Sequence, residues 1–438
     1  MNKSKSVVLL EPVSLSSWGS CATIIPNLSA SYRKFLGSNV RSVNYSIQSS
    51  TFEIHTCAQE IARLRPSHLV FVDHLKHPHD LLVALDCIYG SKKWPILIFH
   101  LFGDFTLYTP EWARCEKLLK SKQVQFVCAS PRQRDLVSSF ITFGSKITSV
   151  CPFPVSDDEY NYEPGLREKV RHEKGFSEKT FVMTYTGRLS LQKNVLKMIF
   201  SLSKVMGAQK SDWKLILAGS FDDMGSPFFG LRLAPGSYYQ GYLKLLKSLP
   251  PSIRSRIEWV GALDKKELRA LYHGSDLFVS FSTHHDEDYG MSPIEALCCG
   301  TPALISDWGG FGGFAIDSSV ELLPVRLSGS GPILDGRSLP KKLIAMQNDA
   351  QLATANEREN RSKTYLRHFG FTGAEESIES LLALKPMPFS GFRSALKSHA
   401  RLKKQINRRG WMFRAGRLVD TNYFKTYRNY ISLREQRP

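Results

Sequence analysis

The stretch Leu277–Asp307, LFVSFSTHHDEDYGMSPIEALCCGTPALISD, holds an apolar run, an acidic loop, a helix-forming run and a second apolar run in direct succession. Asp276–Phe281 is β-branched and aromatic, which predicts a buried strand. Ser292 suits an N-cap, Pro293 suits the first helical position, and Glu295 completes an S-x-x-E capping box. Gly300 and Pro302 stop the helix. The spacing therefore predicts a helix that starts near Gly290 to Ser292, with unpaired N–H groups aimed back over the strand end. Unpaired donors and the helix dipole attract an anion there. Glu287 lies in the acidic cluster, and Glu295 follows inside the first helical turn. Carboxylates on either side of backbone donors suit a ligand that carries both hydroxyls and phosphate.

Simpler uses of these residues exist. Glu295 can serve only as a cap, and Glu287 can be a solvated loop charge. His284, His285, Asp286, Glu287 and Asp288 contain metal-ligating types, but adjacent residues in one loop seldom converge on one ion. The H-E-x-x-H spacing is absent, so no metal is expected.

A second motif lies upstream. Phe181–Thr186 reads as a strand, and Val195–Val205 reads as a helix with Leu196, Ile199, Phe200 and Leu202 on one side. Arg188 and Lys193 occupy the strand-to-helix loop between them. Ligands of parallel α/β sheets bind at such carboxyl ends of strands. A planar guanidinium and a compact ammonium both suit phosphate, although a solvated basic turn would look the same in isolation.

Glu287–Pro302, EDYGMSPIEALCCGTP, resembles the E-x7-E signature of retaining glycosyltransferases of family four. Tyr185–Asn194, YTGRLSLQKN, resembles that family's G-R-L-x-x-x-K-G segment, and Leu215–Gly219 and Ile257–Gly261 fall between the motifs in the family's order. The likeness is strong over residues 180–310 and loose over the first half. It implies the GT-B architecture: α/β, two Rossmann-like lobes with parallel sheets facing across a cleft. It also implies a nucleotide-diphosphate sugar as donor, retention of anomeric configuration, and no bound metal or cofactor. By the same resemblance Arg188 and Lys193 neutralise the donor diphosphate. Glu287 contacts the donor sugar and Glu295 the nucleotide ribose. Gly187, Gly290, Met291 and Ser292 line the donor. In the first lobe, His100 ends the strand Pro95–His100 and would face the sugar, while Gly19 is the remaining glycine of a pair that lies near phosphate and acceptor. Two departures stand out. Asn194 replaces a family glycine, and Gly19 is flanked by Ser16, Ser17 and Ser20 rather than by a second glycine.

The chain has 438 residues, with 42% hydrophobic and 22% charged content, which fits two globular domains. No apolar run is long enough to span a bilayer. The N-terminus shows no signal-peptide pattern, and the eight cysteines form no C-x-x-C pair. A reduced cytoplasmic setting is expected. Strand-like runs at Val7–Leu10, Arg41–Tyr45, His68–Val72, Pro95–His100, Val124–Ala129 and Ile147–Val150 alternate with helices such as His79–Tyr89 and Pro131–Phe140. The expected division is 1–155 as an acceptor-side lobe, 156–385 as a donor-side lobe with a closing helix at Glu375–Leu384, and 386–438 as a basic tail. Residues 221–240 look like a long connection.

From Pro386 onward thirteen Lys and Arg face two acids, a net +11 of the chain's formal +18. Phe392, Leu396, His399, Leu402 and Ile406 recur at helical steps, Gly410 breaks the pattern, and Tyr423, Phe424, Tyr427 and Ile431 suggest a second short helix. Two uses stay open. The tail can bury its aromatics across the first lobe with a basic outer face, or it can lie on an anionic membrane surface. No nucleic-acid motif accompanies the charge, so nucleic acid is not an expected partner. The acceptor expected is a saccharide, such as a lipid-linked or surface polysaccharide precursor at the inner membrane face. The rival reading is a non-catalytic scaffold on the same fold that binds a partner through the tail.

Overall fold

A computed structural model describes residues 5–12, 19–45, 49–72, 78–209, 211–226, 229–328, 331–410, 412–413 and 421–431. The chain forms two compact units. One comprises Met1–Pro154 with Phe369–Arg408, the other Val155–His368 with Arg409–Pro438.

The first unit is built on a six-stranded sheet of β1 (Val7–Pro12), β2 (Val40–Tyr45), β3 (His68–Phe71), β4 (Ile96–His100), β5 (Val124–Cys128) and β6 (Thr148–Val150). The order is β2-β1-β3-β4-β5-β6, and every pairing is parallel. Val7 to Leu10 and His68 to Phe71 are buried without a break. Such continuous burial is what helices on both faces of a parallel sheet impose, and it explains the unalternating apolar runs. The helices His79–Tyr89 and Pro131–Phe140 have the expected bounds, and the closing helix runs Phe371–Ala383.

The second unit repeats the plan with β7 (Phe181–Thr186), β8 (Leu189–Ser190), β9 (Trp213–Ala218), β10 (Phe221–Asp222), β11 (Ile257–Trp259), β12 (Leu277–Ser280), β13 (Ala303–Ser306) and β14 (Val320–Leu323). Its main sheet is ordered β11-β9-β7-β12-β13-β14, again parallel throughout. The chain winds outward from β7 through β9 to β11, then crosses back to β12 and winds the other way. The reversal between β7 and β12 is a topological switch point, where a crevice opens outside the carboxyl ends of the strands. The helix Val195–Ala208 lays Met198, Ile199, Leu202 and Met206 on this sheet. Phe200, expected on the same side, is 46% exposed and lies under the Lys204 ammonium, because the buried stripe runs through Val195 and Met198 instead.

At the opposite, amino-terminal edge of β12 sits Asp276, 4% exposed. It accepts from Arg167 at 2.5 Å, Arg171 at 3.1 Å and the Val182 N–H at 2.8 Å, and Arg358 lies 3.5 Å away. A buried carboxylate needs this many donors to offset its lost hydration. The connection after β9 is built rather than loose over its described residues. Phe221 packs against Tyr239, Tyr242 and Trp259, and Asp223 accepts from the N–H groups of Gly236 and Tyr238 at 2.6 and 2.8 Å.

The basic tail divides its packing. Its helix Ser394–Arg409 buries Leu396, His399 and Ala400 in the first unit, with His399 edge-on to Phe140 and Phe392 beside Phe126. Gly410 leaves the helix at φ +76°. Phe413 and the helix Thr421–Tyr427 then belong to the second unit, where Tyr423, Tyr427 and Tyr430 are each at most 1% exposed. Among the described residues no helix is long and apolar enough to cross a membrane.

Candidate functional site

The cationic side is made by the turn after β7. Gly187 has φ +136°, and a Cβ placed on Gly219 would lie 2.0 Å from the Gly187 carbonyl oxygen. The turns after β7 and β9 therefore touch backbone to backbone, which only glycine allows. The two-residue strand β8 pairs with β10 in parallel, and this sets Asp222 where it forms an ion pair with Arg188. Arg188 also donates to Gln192 at 3.2 Å, and its carbonyl accepts from the Tyr185 hydroxyl at 2.9 Å. Lys193 Nζ lies 2.6 Å from Glu287 Oε2, joining residues 94 apart in sequence. Asn194, which stands where the family has glycine, adopts φ +55° at the start of its helix. Asparagine tolerates this left-handed region. Its side-chain amide also donates to the Phe281 carbonyl at 3.2 Å and to Thr283 Oγ1 at 2.6 Å, tying the β7 turn to the β12 loop.

The acidic side is made by the loop after β12. Glu287 is buried apart from its link to Lys193. Its carbonyl accepts from the Gly310 N–H at 2.8 Å, and the Trp308 indole donates to the His284 carbonyl at 2.6 Å. A Cβ on Gly309 would lie 2.0 Å from the Glu287 carbonyl oxygen, so this neighbouring turn must be glycine. The next helix runs Met291–Cys298 with Gly290 as its N-cap, at φ +128°. The capping box expected at Ser292 does not form. Gly290, in a conformation closed to other residues, begins the helix earlier, and Glu295 turns inward instead of back to the cap. Glu295 accepts from the Tyr272 hydroxyl at 3.1 Å, and that hydroxyl lies 2.7 Å from Thr186 Oγ1 at the end of β7. Burial raises the Glu295 carboxyl to about 7, against the opposing pull of the Tyr272 hydrogen bond.

Arg188, Lys193, Glu287, Glu295, Gly187 and the helix start at Gly290, Met291 and Ser292 thus gather at the carboxyl edge of one sheet, around the switch point. His284 sits among them: burial, its neighbour His285 and the charges of Lys193 and Arg188 all hold it neutral. His100 belongs to the first unit. It is 4% exposed at the end of β4, its Nε2 lies 2.9 Å from the Tyr32 hydroxyl, and burial pushes it down to about 3. Gly19 begins the helix Gly19–Leu36, while Ser16 and Ser17 lie outside the described residues. Sequence reasoning did not single out Asp222, Tyr272, Gly309 or Gly310. The run GGFGG at 309–313 was a usable signal for close backbone approach. Among the described residues no group of three or more His, Cys, Asp or Glu is arranged to hold a metal ion.

Residues 167–322, which include both motifs, match the family model described as glycosyl transferases group 1. An uncharacterized glycosyltransferase of Methanocaldococcus jannaschii is 23% identical over 197 residues, 44% of this chain and 45% of that protein. Mannosylfructose-phosphate synthase of Agrobacterium fabrum is 24% identical over 275 residues, 61% of this chain and 55% of that protein. The chain spans about half the length of the curated relatives it matches. Among solved structures, Anabaena HepE in complex with UDP aligns at TM-score 0.60 and 15% identity, over 86% of this chain and all of that one. A glycosyltransferase from Rickettsia africae aligns at TM-score 0.61 and 14% identity, over 86% and 98%. The fold is GT-B. Within it, residues 167–322 are similar to the group 1 glycosyltransferases, in line with the resemblance to family four.

Proposed function

We propose that this protein transfers a sugar from a nucleotide-diphosphate sugar to a saccharide acceptor, with retention. The observation that carries the reading is the Lys193–Glu287 contact, which brings the two family motifs together at a switch point. HepE has been solved with UDP and with UDP-glucose, which supports a donor of that class.

In this reading the donor divides the ion pair between its own parts. The diphosphate takes the Lys193 ammonium, and the released Glu287 carboxylate accepts from the sugar hydroxyls. Arg188, steadied by Asp222, provides the second cation. The N–H groups at the start of Met291–Cys298 complete the cradle. Negative charge grows on the diphosphate as the glycosidic bond breaks, and fixed cations stabilise it more in the transition state than in the ground state. These groups do the work of a metal, so none is required. Glu295 meets the ribose. Acceptor attack from the face the diphosphate leaves would retain configuration without a covalent intermediate. His100, neutral at a strand end of the first unit, is the proposed sugar contact on the acceptor side.

The proposed acceptor is a lipid-linked or surface polysaccharide precursor at the inner membrane face. Support comes from the helix Ser394–Arg409. Leu396, His399 and Ala400 are buried and Leu402 and Ile406 half-buried, whereas Arg393 just before the helix and Lys397, Arg401, Lys404 and Arg408 within it lie exposed at helical spacing. Each such charge near anionic lipid contributes about 1 kcal/mol. Glutamine at these five positions should abolish cosedimentation with phosphatidylserine vesicles. Unchanged cosedimentation would contradict a membrane-bound acceptor.

A thermal-shift panel of nucleotide sugars tests the main reading. One donor should stabilise the wild type and fail to stabilise Arg188→Ala or Glu287→Ala. A flat response to every donor would favour a non-catalytic scaffold.

A further inference from the structure

The loop that presents Glu287, residues 281–290, has no helix or strand of its own, so its shape depends on what it touches. Asn194 and Ser306 hold its start through the Phe281 and Ser282 carbonyls, and two further neighbours hold its backbone closer to Glu287. Trp308 donates its indole N–H to the His284 carbonyl, and Gly310 donates its N–H to the Glu287 carbonyl. Trp308 is covered by the C-terminal segment Thr421–Ile431. The Tyr430 ring stands edge-on to Trp308 with centroids 5.5 Å apart, and the Tyr427 ring lies 6.4 Å from it. Tyr427 also lies 5.7 Å from the His285 ring, inside the acidic loop itself. Gly309 is caught between the two layers: a Cβ there would meet the Glu287 carbonyl oxygen at 2.0 Å and Tyr430 Cδ2 at 3.4 Å. Behind these rings Tyr423 packs on Tyr427 at 4.6 Å, on Phe413 at 5.2 Å and on Phe229 at 5.2 Å.

We propose that the C-terminal segment Thr421–Ile431 is a positioning brace for the Glu287 loop, so that the donor site is complete only when this segment is seated. Simple burial of aromatics would be satisfied anywhere on the unit. Here Tyr427 and Tyr430 rest on Trp308 and His285, the first of which holds the loop backbone while the second belongs to it. The brace acts through these residues and does not touch the donor. Its consequence for catalysis rests on the glycosyltransferase reading, but its consequence for the loop does not.

The test uses the full chain with Tyr430→Ala, Tyr430→Phe and Tyr427→Leu, and with Leu396→Ala as a control in the part of the tail that packs on the other unit. Hydrogen–deuterium exchange is followed over residues 283–290 and 309–310, with β7 and β9 as internal references. In Tyr430→Ala and Tyr427→Leu, exchange of the loop should rise roughly tenfold while β7 and β9 stay protected. Tyr430→Phe, which keeps the ring, and Leu396→Ala should match the wild type at the loop. Titration with UDP-glucose should show weaker binding in Tyr430→Ala, by roughly tenfold, and wild-type binding in Tyr430→Phe. Unchanged loop exchange in folded Tyr430→Ala overturns the brace. Loss of protection throughout β7 and β9 in both ring-removing variants also overturns it, because the segment would then support the whole unit and not the loop. A faster-exchanging loop in a protein whose wild type binds no nucleotide sugar upholds the brace and rejects the enzymatic reading.

Discussion

Asp276 and Glu287 stand at opposite ends of β12, both buried and both paired with cations, yet they do different work. Asp276, before the strand, is saturated. It accepts three hydrogen bonds, from Arg167, Arg171 and the Val182 N–H, and a third arginine, Arg358, lies 3.5 Å away. Glu287, beyond the strand, has one ammonium partner, which is itself a quarter exposed. The sheet direction accounts for the contrast. At the amino edge the loops return from helices and close the fold, whereas at the carboxyl edge the loops diverge around the switch point and leave room for a ligand. A saturated carboxylate is a structural device; one with a single, partly solvated partner can exchange that partner for substrate.

The comparison breaks most visibly if Asp276 is removed. Asp276→Ala strands Arg171 and Arg358 without their anion and should lower stability by about 3–5 kcal/mol in chemical denaturation. Donor affinity per folded molecule should be unchanged. Glu287→Gln should do the reverse. Turnover of a nucleotide sugar should fall roughly 10²–10³-fold while the denaturation midpoint barely moves. If Glu287→Gln unfolds the protein and Asp276→Ala does not, the roles assigned to the two edges are exchanged.

Glu295 sharpens the picture because it lies between these extremes. Its carboxyl rises from 4.5 to about 7 on folding. The folded state therefore holds a proton that the unfolded state releases, and stability falls as pH rises through this window. Glu295→Gln removes the ionisation. Equilibrium unfolding should show the variant more stable than wild type at pH 8, by up to about 3 kcal/mol, with the difference falling to about 1 kcal/mol near pH 5 and vanishing below about pH 4. A pH-independent difference would mean that the side chain is ionised in the fold at all these values. The smallest spectroscopic change between pH 5 and 8 belongs to His100. Burial pushes its imidazole from 6.5 to about 3, so its nitrogen resonances should report a neutral ring from pH 5 to 8. Its contribution to stability is full above pH 6.5 and declines as pH falls, because the unfolded chain takes the proton first.

Much of this was legible in the sequence because fully buried parallel strands leave unbroken apolar runs. β1, β3, β7 and β12 were found within a residue or two for that reason. Arg188, Lys193 and Glu287 were legible because their loops lie between a strand and a helix whose signals are local. Other features depended on contacts between distant parts of the chain. The Arg188–Asp222 pair rests on a two-residue strand pairing, which leaves no periodicity. Ser292 and Glu295 spell a capping box, but the backbone at Gly290 and the hydroxyl of Tyr272 outcompete it. Phe200 was assigned to the wrong face because three apolar residues in a row, Met198 to Phe200, satisfy more than one helical stripe. The return of Tyr427 and Tyr430 to the second unit was hidden behind their basic surroundings, which point equally well to a lipid surface.

The most direct measurement is calorimetric titration of UDP-glucose, and of its counterparts with other bases, into wild type, Lys193→Ala, Glu287→Gln and Asp276→Asn under one set of conditions. Wild type and folded Asp276→Asn should bind one donor equally, and Lys193→Ala and Glu287→Gln should each lose at least about tenfold in affinity. Equal binding by all four proteins would contradict the assignment of the donor to the carboxyl ends of β7 and β12.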